Sequence, residues 1–182
     1  MIGLTTGRQT TQLINSLLND LSHALPHAKI IRRGKSSLND LSVRLLNENL
    51  THAIAVNRWR GIPGRLTLYN VQPGGVTKLM PSIFLSEIKL SREYKNHTRT
   101  IVKGITCGKV KQSTHRFSEI LSAVFEISVT QNPNDVDATF HLTQINDSIR
   151  LVVTSPPMER EIGPCLTISR LLWRDIGVDI GV

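Results

Sequence analysis

Residues 3–25 read GLTTGRQTTQLINSLLNDLSHAL, and this stretch sets the terms for the rest of the chain. The apolar run at residues 2–5 predicts a short strand. Beyond the Thr5-Thr6-Gly7-Arg8 junction, Leu13, Ile14, Leu17, Leu18, Leu21 and Leu25 recur at helical spacing, so a helix with one apolar stripe is expected from Thr11 to Leu25. Pro26 stops it, because proline lacks the amide hydrogen and clashes with the preceding turn. The opening then recurs. Gly3-Leu4-Thr5-Thr6-Gly7-Arg8 is matched by Gly104-Ile105-Thr106-Cys107-Gly108-Lys109 at an offset of 101, again ahead of a helical pattern. Leu66-Thr67-Leu68 after Pro63 is echoed by Leu166-Thr167-Ile168 after Pro164 at an offset of 100. Two matches at nearly one offset point to two similar halves, 1–95 and 96–182, joined near the polar stretch 92–100.

Working outward, a strand is expected at Ala28–Arg32, and Ser37 with Asp40 forms a capping-box pattern before a helix carrying Leu38, Leu41, Leu45 and Leu46. Residues 53–57, 65–71 and 82–90 read as strands, with Pro73-Gly74-Gly75 as a turn between the last two. The second half repeats these parts. It has a strand near Ile101–Thr106 and a helix carrying Phe117, Ile120, Leu121, Val124 and Phe125, capped by Ser113 or Thr114. Strands at 139–145 and 148–154 flank an Asn146-Asp147 hairpin turn, and a last strand covers Cys165–Leu172. The fold class is therefore mixed α/β (α+β), internally duplicated, with one helix fewer in the second half.

The 182 residues carry a formal net charge of +8, and its placement is uneven. Residues 1–95 hold 13 Lys/Arg against 5 Asp/Glu, whereas residues 96–182 hold 9 against 9. An excess confined to one half suits a polyanion partner, since each cation set against a phosphate releases condensed counterions. No apolar run reaches the length of a membrane span, and residues 1–11 lack the pattern of a signal peptide, so neither membrane binding nor export is expected. Cys107 and Cys165 stand apart with no Cys/His cluster, which fits free thiols in a reducing, cytoplasmic setting, although spacing alone leaves a bridge open.

Three segments concentrate the candidate ligands of an anion. At Thr5-Thr6-Gly7-Arg8 a helix N-terminus can face a phosphate, with Arg8 as a clamp; the same residues also serve simply to shape a turn. Arg32, Arg33 and Lys35 crowd around Gly34, where the alternative is a solvated loop. Arg58, Trp59, Arg60 and Arg65 surround Gly61-Ile62-Pro63-Gly64, where arginines can hold phosphates and Trp59 can either stack on an unpaired base or anchor the loop inward. Aromatic residues make up only 4% of the chain, so backbone grip rather than general base stacking is the expected mode. Signals for catalysis are poor. There is no GxxxxGK[ST], GxSxG or HExxH, and His23 and His27 are separated by the helix-breaking Pro26. Neither catalytic residues, metal ligands nor a cofactor or small-molecule site are expected.

The ordered set Thr5-Thr6-Gly7-Arg8, Pro26, Ile31-Arg32-Arg33-Gly34-Lys35, Arg60-Gly61-Ile62-Pro63 and Pro73-Gly74-Gly75-Val76-Thr77, with Glu161-Ile162-Gly163-Pro164 later, resembles the Brix-domain family across nearly the whole chain. Its nearest branch is similar to the small archaeal members related to small-subunit processome proteins. The chain departs from the family pattern at Gly7, where Ser is usual, at Gln9-Thr10 for Pro-Ser, at Gly75-Val76 for Pro-Thr, and at Cys165 for Arg. The resemblance implies one Brix domain over 1–182, with each half similar to the anticodon-binding domain of class II aminoacyl-tRNA synthetases. It also implies binding to rRNA or pre-rRNA and assistance of subunit assembly without catalysis, alongside other assembly factors, in the cytoplasm or, in a eukaryote, the nucleolus. The RNA-binding residues expected are Arg8, Arg32, Arg33, Lys35, Arg58, Trp59, Arg60 and Arg65. The competing expectation is a protein-interaction scaffold that meets RNA only through partners.

Overall fold

The computed structural model describes residues 1–59, 62–95, 101–127, 136–156 and 160–174. The elements are β1 (Ile2–Thr6), α1 (Gln12–Ala24), β2 (Ala28–Ile30), α2 (Leu38–Asn47), β3 (His52–Trp59), β4 (Ile62–Gln72) and β5 (Gly75–Lys89). They continue with β6 (Ile105–Cys107), α3 (His115–Val124), β7 (Ala138–Ile145), β8 (Ser148–Ser155), β9 (Arg160–Glu161) and β10 (Cys165–Leu172). The fold is mixed α/β, as expected.

All ten strands form one sheet in the order β2-β1-β3-β4-β5-β10-β8-β7-β6, with β9 beside β8. Parallel pairing is confined to the ends of this order: β1 pairs in parallel with β2 and β3, and β6 with β7. The interior pairs are antiparallel, and β5 against β10 joins the first half of the chain to the second. Helices α1 and α3 pack on one face. There Ile14, Leu17 and Leu21 of α1 and Phe117 and Leu121 of α3 share a core with Leu4, Val56, Leu68, Leu85, Phe140, Val153 and Ile168 of the strands. The two halves thus bury a common core rather than two separate ones. Helix α2 covers the opposite face of the first half, where Leu41 and Leu45 pack with Ile31, Ala53 and Val71.

Local chemistry explains the element ends. Thr11 caps α1 by accepting from the Ile14 amide, and the helix ends at Leu25 ahead of Pro26. Ser37 and Asp40 form the expected reciprocal capping box. The pairing of Gln72 with Gly75 closes β4 and β5 with a two-residue turn, with Gly74 at φ +100°. Asn146, at φ +50°, turns β7 into β8.

Several expectations are corrected. Leu13 and Leu38 belong to the apolar stripes by spacing, yet they are 37% and 38% exposed. Each lies in the first turn of its helix, at the rim of the contact with the sheet. The strand expected at Ala28–Arg32 ends at Ile30, so Arg32 lies beyond it, with Arg33, ahead of the turn at Gly34. Thr114 holds the expected cap position of α3, but its hydroxyl donates backwards to the Lys111 carbonyl instead of accepting from the helix. The strand β5 begins seven residues earlier than expected, and β9 is an addition. Both cysteines are free.

Candidate nucleic-acid interface

Three neighbouring parallel strands run in the same direction, so the segments that leave them emerge at one end of the sheet. The register sets Leu4 beside Ile30 and Thr6 beside Val56. Two further backbone bonds carry this ladder past the strand ends: the Ile31 amide donates to Leu4 and the Gly7 amide to Val56, at 2.8 and 3.0 Å. Arg8 follows β1, Arg32, Arg33 and Lys35 follow β2, and Arg58 lies near the end of β3. The structure therefore brings the cations of these three separated segments to one end of the sheet.

The turn after β2 is held rather than loose. Gly34 takes φ +59°, the left-handed conformation that favours glycine, and Arg33 Nε donates to the Ser36 carbonyl at 3.0 Å. Arg44, from α2, donates to the Arg32 carbonyl at 3.2 Å. Arg44 is exposed and adds a cation beside this turn that the sequence reading did not select. Arg8, Arg32, Lys35 and Arg58 are exposed, and Arg33 is half-buried.

The balance of charge here follows from where the carboxylates go. Residues 1–95 contain five, each with a hydrogen-bond or ion-pair partner, and Asp40 lies beside this turn, on α2 one helical turn from Arg44. Asp20 accepts from the Ser91 amide, Asp40 from Ser37, Glu87 from Thr167, Glu93 from the Leu90 amide, and Glu48 is paired with Lys29. The two hydrogen bonds from Ser37 hold the Asp40 carboxyl below its ordinary value. Among the described residues, none of Arg8, Arg32, Arg33, Lys35, Arg58 or Arg65 has an ion-pair partner.

Trp59 and Arg65 occupy a different aspect of the same region. Leu66, Leu68, Ile83 and Leu85 face the core, so the alternate residues of β4 and β5 face away from it, and an irregularity between Ile168 and Arg170 sets Arg170 beside Phe84. On that outer face the register runs from Asn57 to Arg65, to Phe84 and to Arg170, across β3, β4, β5 and β10. Trp59 packs edge-on against Phe84, with ring centroids 5.1 Å apart, and remains 40% exposed. It is thus both an anchor and an open surface. Arg170 places its guanidinium over the Phe84 ring, 5.3 Å from the centroid. Arg65 is half-buried, and its Nε has no hydrogen-bond partner. Arg60 lies outside the described residues. No local pattern marks Phe84 and Arg170, because they meet only through the β5–β10 pairing.

In the second half, Arg150 is held by Glu161 at 3.2 Å and donates from Nε to Cys165 Sγ at 3.0 Å. His23 contacts the Asn19 carbonyl within α1, and His27 occupies the turn after Pro26 at φ +53°. Among the described residues no helix is long and apolar enough to cross a membrane.

No model of a known protein family matches the chain. The chain is 32% identical over 93 residues to a probable Brix domain-containing ribosomal biogenesis protein of Methanococcus maripaludis, covering 51% of this chain and 53% of that one. It is 27% identical over 111 residues to a protein of the same description from Sulfurisphaera tokodaii, with 60% of each covered. Over this part the chain is similar to archaeal proteins described as Brix domain-containing. The matched part spans about half to three fifths of these relatives' lengths. Among solved structures, the likeness of fold extends further along the chain. A probable ribosomal biogenesis protein from Aeropyrum pernix superposes with a TM-score of 0.79 at 20% identity, over 92% of this chain and 94% of that one. Mil, an archaeal Imp4-like protein, superposes with a TM-score of 0.69 at 18% identity, over 96% of this chain and all of that one.

Proposed function

We propose that the protein is a non-catalytic factor of ribosome biogenesis that binds rRNA or pre-rRNA through the basic end of its N-terminal half. Arg8, Arg32, Arg33, Lys35, Arg58, Arg60 and Arg65 hold phosphates, and Trp59 adds an aromatic contact. The observation that carries this reading is the disposition of charge. Cations from three strand ends share one end of the sheet, and among the described residues none of Arg8, Arg32, Arg33, Lys35 or Arg58 has an ion-pair partner. Such a surface is neutralised most cheaply by a polyanion. The archaeal relatives, probable ribosomal biogenesis proteins, supply the setting. Its partners are then rRNA and other assembly factors, and its place the cytoplasm. The test is a salt titration of binding to an rRNA fragment. About five to seven phosphate contacts predict a log–log slope of roughly −3.5 to −6. A slope near zero would remove the electrostatic reading.

The same proposal treats residues 1–182 as one domain built by internal duplication, each half akin to the anticodon-binding unit of class II aminoacyl-tRNA synthetases. The strand pattern supports it: β1, β3, β4 and β5 pair parallel, antiparallel, antiparallel, and so do β6, β7, β8 and β10. Gly7 and Gly108 fall at matching places, donating to Val56 and Phe140 at 3.0 and 2.9 Å. The second sequence echo does not follow this scheme. Leu66–Leu68 lies on β4, whose counterpart is β8, whereas Leu166–Ile168 lies on β10.

A further inference from the structure

We propose that Trp59, Phe84 and Arg170 form a stacking seat for one unpaired RNA base, built across the junction between the two halves. The inference rests on the RNA-binding reading above and adds to it a residue from the half whose net charge is zero. Three observations carry it.

The first is placement. Phe84 lies on β5 and Arg170 opposite it on β10, the strand pair that joins the halves among the described residues, and both face away from the core. Trp59 reaches Phe84 from the end of β3. The second is the state of the rings. Phe84 is half-buried, with Trp59 inclined at 71° and the Arg170 guanidinium over its ring. It therefore acts as a fixed post between two planar groups. Trp59 keeps 40% of its surface open and Arg170 is exposed, so a third planar group can be added with little loss of side-chain freedom. The third is charge. Neither Arg170 nor the neighbouring Arg65 has a carboxylate partner among the described residues. A base with its phosphate supplies both things the strip lacks, a π-face for Trp59 and Arg170 and a negative charge for the arginines. A neutral apolar partner would leave the arginines unpaired, which disfavours a hydrophobic docking surface.

The experiment uses the full chain carrying Trp173→Phe, so that Trp59 is the sole tryptophan. The probes are single-stranded deca-adenylate and an abasic strand of the same length and charge. Deca-adenylate is expected to quench Trp59 emission and to bind at least about 5-fold more tightly than the abasic strand. Adding Arg170→Ala, at an exposed position, should shrink that preference below about 2-fold while the melting temperature stays in place; Phe84→Leu, at the half-buried post, should shrink the preference likewise. Equal affinity for the two strands with no change in Trp59 emission overturns the seat and leaves the phosphate-binding reading standing. Failure of both strands to bind overturns both. Quenching by polyglutamate in preference to RNA assigns the strip to an acidic protein and likewise overturns it.

Discussion

A Cβ built on Gly7 would lie 2.6 Å from Oδ1 of Asn57, on the neighbouring strand β3. Gly7 is not needed here for an unusual backbone angle; it is needed because the side chain beside it has taken the space. Asn57 is not free to swing away without cost, since its amide donates to the Ala55 carbonyl and to the Thr67 hydroxyl, both at 3.3 Å. The second half repeats the arrangement, with Nδ1 of His141 standing 2.6 Å from a Cβ on Gly108 and its Nε2 2.9 Å from the Thr154 hydroxyl oxygen.

Gly7→Ala should therefore destabilise the protein by about 1–3 kcal/mol, the usual range for overpacking. The diagnostic is a double-mutant cycle with Asn57→Ala measured by denaturant unfolding. If the clash is the cause, the cost of Gly7→Ala largely disappears when Asn57 is truncated. An unchanged cost would locate the strain elsewhere.

Charge reversal at the strand ends separates binding from folding. Arg8→Glu and Arg58→Glu alter exposed side chains with no ion-pair partner among the described residues, so each should change stability by less than about 0.5 kcal/mol. Each should weaken binding to an rRNA fragment, and neutral versions, Arg8→Ala and Arg58→Ala, should each flatten the salt slope by about one. The same two substitutions leaving affinity and slope untouched would show that this end of the sheet is not the phosphate-binding surface.

Asp40 provides a pH-dependent readout of the α2 start. Its carboxyl is held below the ordinary value by the side chain and backbone of Ser37. The folded value being the lower one, the stabilisation from this group is present above the unfolded value. It drains away as the pH falls through the folded one. Ser37→Ala removes the hydroxyl donor to Asp40, so the Asp40 titration followed by NMR should move upward. The acid side of the stability profile should become less steep. No upward movement would mean that the capping box does not set this titration.

How much of this was legible in the chain depends on the range of the interaction. The α1 stripe, the Ser37–Asp40 box, the Pro73-Gly74 and Asn146-Asp147 turns and the limits of β10 are encoded within a few residues, and reading them required only periodicity and turn chemistry. The early part of β5 was not readable, because Gly75–Pro81 shows no clean alternation and its pairing is supplied by β4. Leu13 and Leu38 misled because a stripe defines a helix face without saying where the opposing sheet ends. At the candidate site, the basic segments were evident from composition, and their meeting at one end follows from parallel pairing that no local pattern announces. The Phe84–Arg170 contact is the extreme case. It depends on β10 inserting between β5 and β8, a property of strand order alone.

Cys107 tests the packing of the second half through thiol chemistry. It is half-buried, packs against the main core and donates to the Gly108 carbonyl, and burial pushes its thiol above the ordinary value. Desolvation penalises the thiolate, which is the reactive form, so alkylation at pH 8 should be slower than that of an unstructured cysteine. The rate for Cys107, resolved from Cys165 by peptide mass spectrometry, should keep rising at pH values where a free thiol has already levelled off. Denaturant should abolish the difference, because the shift belongs to the fold and not to the local sequence. A Cys107 that reacts in the native protein with the rate and pH midpoint of a model thiol would mean that the β6 edge opens readily, and that α3 does not hold this end of the sheet closed.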